Sequence, residues 1–74
     1  MRVELEPHKF QPCDYGKHEG IWYALSPNSL LANLASHKVI EHDDGTISVT
    51  PSILVSNNES SWHGYITNGR FIEC

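Results

Sequence analysis

The chain carries only two cysteines, Cys13 and Cys74, in 74 residues. That is too few for a disulfide scaffold and fits a reducing, cytoplasmic setting. No apolar run approaches the 18 residues of a transmembrane helix, so no membrane partner is expected. No basic-then-apolar leader opens the sequence, and Met1 is expected to be the native start. Basic residues are scarce: Arg2, Lys9, Lys17, Lys38 and Arg70, five against nine Asp plus Glu, for a formal charge of −4. They form no run and share no helical spacing, so nucleic acid is not expected as a partner either.

Large apolar side chains are also few for a compact fold. A domain this small buries only about 60% of its unfolded surface. Each buried large side chain contributes roughly 1.5–3 kcal/mol, while backbone ordering costs about 1–2 kcal/mol per residue. The balance is thin, so a homodimer or a bound partner is expected. Residues 1–74 are read as a single domain.

The strongest signal present is Asn68-Gly69 between two β-type runs, Trp62 to Thr67 and Arg70 to Cys74. A two-residue type I′ loop there sets the register. Thr67 then faces Arg70, Ile66 faces Phe71, Tyr65 faces Ile72, Gly64 faces Glu73 and His63 faces Cys74. Trp62, Ile66 and Phe71 fall on one side, the expected core side, with Trp22 as their neighbour. His63, Tyr65, Thr67, Arg70 and Ile72 fall on the other, partly exposed side. Tyr and Arg are enriched among interface hot spots, so these five residues are the candidate protein-binding surface.

A second hairpin is read around Asp43-Asp44-Gly45. If Asp44-Gly45 is a two-residue loop, Ile40, His42, Ile47 and Val49 share a face. A three-residue loop with a bulge instead groups Val39, Glu41, Ile47 and Val49. The first register is preferred because it buries the bulkier set. Pro51 marks a strand boundary, bulge or edge, and Ser52 to Val55 reads as a further strand. Upstream, Arg2 to Glu6 alternates as a short strand with Val3 and Leu5 inward, and Ile21 to Leu25 is rich in strand formers. His8 to Gly20 reads as loop. Ser26-Pro27 resembles a helix start, so Asn28 to Ser36 is predicted as a short helix with Leu30, Leu31 and Leu34 on one face. The expected fold is α+β and mostly β: an antiparallel sheet of about five or six strands with one short helix.

Two blocks carry a resemblance: Asp44 to Leu54, with its Pro51-Ser52-Ile53-Leu54 strand, and Trp62 to Gly69, with His63-Gly64-Tyr65 before Asn68-Gly69. Together with Gly20-Ile21-Trp22-Tyr23 they resemble an uncharacterised family of small phage and prophage proteins. The resemblance implies an accessory protein made in an infected bacterium, acting by contact with a host or defence protein. Some members carry a Cys-x-x-Cys-like pair after the aromatic strand and a cysteine before the histidine. Leu25-Ser26-Pro27-Asn28 and Trp62 stand at those places, so a metal site does not carry over.

Catalytic and metal chemistries are weakly written. Cys13, His18, His63 and Cys74 are the candidate zinc ligands, but Cys-x₄-His spacing is not diagnostic. Cys74 beside His63 would need a cleft and an oriented base to act as a nucleophile. Glu41, Asp43 and Asp44 are explained by a turn, and a calcium loop needs more oxygen ligands. The expectation is therefore a non-catalytic binding protein without a cofactor. A small zinc protein and a small-ligand or enzymatic protein are the alternatives.

Overall fold

The computed structural model describes all residues, Met1–Cys74. Seven strands form two antiparallel meanders. The first sheet holds β1 (Tyr15–His18), β2 (Ile21–Leu25) and β3 (Leu31–Asn33). The second holds β4 (Lys38–Glu41), β5 (Ile47–Ser56), β6 (Ser61–Thr67) and β7 (Arg70–Glu73). Each sheet follows chain order, so every connection within a sheet is a hairpin, and the β3–β4 link crosses from one sheet to the other. The one helical piece is a 3-10 turn at Pro7–Lys9. The fold is mostly β as expected, but with two sheets rather than one and without an α-helix.

The sheets bury their inner sides against each other. Tyr15, Ala24, Leu30, Ala32 and Leu34 from the first meet Ile47, Val49, Ile53, Trp62 and Ile66 from the second. β6 alternates strictly between exposed and buried residues, the period of a strand wet on one side. Alternation puts position 64 on the inner side, where a Cβ would collide with the Ile72 carbonyl and the Trp62 indole, so glycine fits there. Phe71 completes the aromatic contact, 5.9 Å from Trp62 and 6.3 Å from Tyr15 between ring centroids.

The β6–β7 register is the one Asn68-Gly69 dictates, from Thr67 opposite Arg70 to Gly64 opposite Glu73. Asn68 and Gly69 take φ of 48° and 80°, as a type I′ turn requires. Pro51 lies where β5 shifts register against β6, between Val49 and Ile53. That irregularity lets one ten-residue strand contain what reads in sequence as two.

Four expectations are corrected. The preferred β4–β5 register is wrong: Val39 faces Val49 and Glu41 faces Ile47, so the loop is the three-residue form. Gly45 takes the left-handed position at φ 86°, and its N–H donates to the His42 carbonyl. Glu41 is thereby brought to Arg2, whose Nη1 donates to its carboxylate at 2.6 Å and to the Gly45 carbonyl at 3.1 Å. The same guanidinium lies 5.2 Å from the Trp22 ring centre. This clasp outweighs burial of Ile40, which faces solvent.

The predicted helix over Asn28 to Ser36 is absent. Leu30, Ala32 and Leu34 are buried and alternate with exposed neighbours, so the segment follows period two. Ser29 adopts φ 66°, incompatible with a helix, and the Ser26 hydroxyl accepts the Leu30 N–H at 2.9 Å to close a turn. A two-turn helix nucleates poorly; pairing with β2 satisfies the backbone instead. The expected Arg2 to Glu6 strand reduces to one parallel bridge, Arg2 with Tyr15, and Leu5 is exposed rather than inward. Within the expected loop of residues 8–20, β1 pairs with β2 through Glu19-Gly20, again a turn with both φ positive.

Candidate functional site

The outer side of the four-stranded sheet unites the five residues singled out in the sequence. His63, Tyr65 and Thr67 alternate along β6, and Arg70 and Ile72 alternate along β7. Tyr65 pairs directly with Ile72, and Thr67 with Arg70. His63 is flanked by Leu54 on β5, and the Cys74 N–H donates to its carbonyl at 2.9 Å. No second layer covers this side. Leu54 is 71% exposed, Ile40 45%, and Tyr65 and Ile72 37% each.

Leu54 and Ile40 were missed in the sequence. Leu54 sits between the inward Ile53 and Val55, so alternation alone could have placed it outward once the strand was recognised. Ile40 was hidden by the wrong hairpin register. The polar residues between them are tied down. Ser52 Oγ and His63 Nε2 are 3.0 Å apart, and His37 Nε2 donates to the Ser52 carbonyl at 3.3 Å. Ser48 Oγ accepts the Asn68 N–H at 3.0 Å and is hydrogen-bonded to His42 Nε2 at 2.7 Å. The surface is a braced pleat rather than a loose one.

The candidate zinc ligands do not converge. Cys13 precedes β1 and His18 ends it, so roughly 10 Å of strand separates them. His63 and Cys74 are neighbours on the other sheet, and no group of three or more His, Cys, Asp or Glu side chains is placed to hold a metal. Cys13 and Cys74 are both free thiols. Neither His63 nor Cys74 lines any cleft.

The largest cleft, about 490 Å³, lies between the Gly45 and Gly69 turns and the first residues of the chain. Arg2, Glu4, Tyr15 and Asp44 line it. Burial raises the Tyr15 phenol above its ordinary value of 10.0, against the opposing charge of Arg2. No histidine, cysteine or serine joins it there to act as nucleophile or base. A smaller apolar cleft beside Ile21, Trp22 and Leu34 is lined by His37, whose buried Nδ1 has no partner.

Comparison of the chain with family models, curated proteins and solved structures finds no match.

Proposed function

We propose that this chain is a non-catalytic binding protein that takes a protein partner on the outer side of the β4–β7 sheet. The observation that carries the reading is the uncovered face, on which Ile40, Leu54, Tyr65 and Ile72 remain exposed in a structure whose other large side chains are mostly packed. Tyr65 and Arg70 are the residue types that anchor protein interfaces, and their strands are braced by the type I′ turn. Preorganised side chains lose little entropy on binding. The resemblance to small phage and prophage proteins supports a partner of the host-factor or defence-protein kind.

The test is capture from bacterial lysate by the immobilised chain, repeated with Tyr65→Ala and Leu54→Asp. Wild type should retain a defined protein that both variants release, while their melting temperatures stay within about 4 °C of wild type, as for surface substitutions of small effect. Equal capture by all three proteins would refute the assignment of the face.

A further inference from the structure

The uncovered face differs in charge from the rest of the molecule. The chain has nine carboxylate side chains and a formal charge of −4, yet none occupies an outward strand position of β4–β7. Glu41 points to the core side, where it binds Arg2. Glu73 lines a cleft with Trp62 and Phe71, also on the core side. Asp43, Asp44 and Glu59 sit in turns; Glu4, Glu6, Asp14 and Glu19 belong to the N-terminal segment and the first sheet's hairpin. The outward positions instead carry two cations, Lys38 on β4 and Arg70 on β7. Val39 and Phe71, their neighbours in sequence, pack toward the core, which fixes the cations outward. Neither forms an ion pair. They stand on the two edge strands, three strand spacings across the sheet and two residues apart along it, about 16 Å in all. Leu54, Tyr65 and Ile72 supply the apolar surface of the same side.

We infer that the partner segment seated on this face is acidic and apolar. It presents carboxylates at two points far enough apart to reach Lys38 and Arg70, with apolar side chains against Tyr65, which lies between the two cations, and against Ile72 and Leu54 to one side of them. Complementary charge selects the partner and steers the encounter; the apolar contacts hold it. A second copy presenting the same face would bring cation to cation, so face-to-face self-pairing does not meet this chemistry. Single-stranded nucleic acid does not fit either. Two cations and one aromatic ring fall short of the phosphate contacts that give such complexes their affinity.

This inference rests on the face being the binding site, and the two are tested separately. The first measurement is fluorescence anisotropy with three labelled probes: a 15-residue peptide alternating Leu or Phe with Asp or Glu, the same peptide with Lys or Arg at the polar positions, and an oligothymidylate of 20 nucleotides. The acidic peptide should bind best. Lys38→Glu and Arg70→Glu should each weaken it roughly five- to tenfold, and added salt should weaken wild type toward the variants. The inference is overturned if the basic peptide or the oligonucleotide binds as well, if no probe binds, or if both reversals leave the acidic peptide's affinity unchanged. The second measurement repeats lysate capture with Lys38→Glu and Arg70→Glu. A protein lost with Tyr65→Ala but kept by both reversals would leave the face standing as the site and remove its acidic partner. Circular dichroism melts of each variant confirm folding; neither side chain makes a contact that the fold needs.

Discussion

Both sheets have an inner side in the common core, but their outer sides differ. On the first sheet, Gly16 is the outward neighbour of the buried Tyr15. The space beyond it is filled by the Val3 carbonyl and the Phe10 ring. Phe10 is only 8% exposed. The N-terminal segment is thus the lid of this sheet, held by Val3 N–H to the Tyr15 carbonyl and Tyr15 N–H to the Met1 carbonyl, at 2.9 and 3.0 Å. The second sheet has no such lid, and Leu54 stands where a covering residue would pack. The difference teaches that an apolar side chain on a strand tells little until the third layer is known. The chain has one segment long enough to cover a sheet, and the first sheet uses it. What the second sheet leaves bare is available to another molecule.

The largest test of this contrast is truncation on both sides. Phe10→Ala should cost about 3–5 kcal/mol by emptying the space under the lid, measured by urea unfolding. Leu54→Ala should change stability by no more than about 0.5 kcal/mol, as for an exposed site. Similar costs for the two would mean that the outer sides are not different in kind. Next in size, Gly16→Ala should cost about 1–3 kcal/mol, because its Cβ would collide with the Val3 carbonyl and crowd the Phe10 ring at 3.3 Å. Hydrogen exchange in that variant should quicken first in residues 1–12 and leave β6 and β7 protected.

The smallest effect concerns the uncovered sheet alone. The Thr46 hydroxyl, at 2.6 Å, and then the Thr46 N–H, at 3.0 Å, donate to the Asp44 carboxylate. They lower its pKa below the ordinary 3.8. A carboxylate depressed in the folded state adds stability above its unfolded value and loses it as pH falls through the folded value. Thermal melts between pH 6 and about pH 2 should therefore show a flatter acid limb for Asp44→Asn than for wild type. An identical limb would mean that the β4–β5 turn is not held by this carboxylate.

The C-terminal hairpin was legible because its information is local. Asn68 and Gly69 accept positive φ at low cost, two-residue loops permit one register, and alternation then assigns each face. The five surface residues came from that chain of inference. The other turn was ambiguous because Asp43-Asp44-Gly45 can close a hairpin with two or three residues. Arg2, distant in sequence, decides between them by bonding Glu41 and the Gly45 carbonyl. The helix expected over Asn28 to Ser36 fails for a similar reason: its leucines suit a helix or a strand, and only the open edge of β2 selects the strand.

The sequence by itself determined the β-rich character, the final register and which side of β6 faces the core, since turn chemistry and pleat alternation act over a few residues. The tertiary structure alone decided the division into two sheets, the burial of Phe10 and Tyr15 beneath and between them, and the exposure of Leu54 and Ile40. Those outcomes depend on which segments meet across the fold. Hydrophobic burial has no direction along the chain, so it rewards any segment that fills the space, and no local pattern names the one that will.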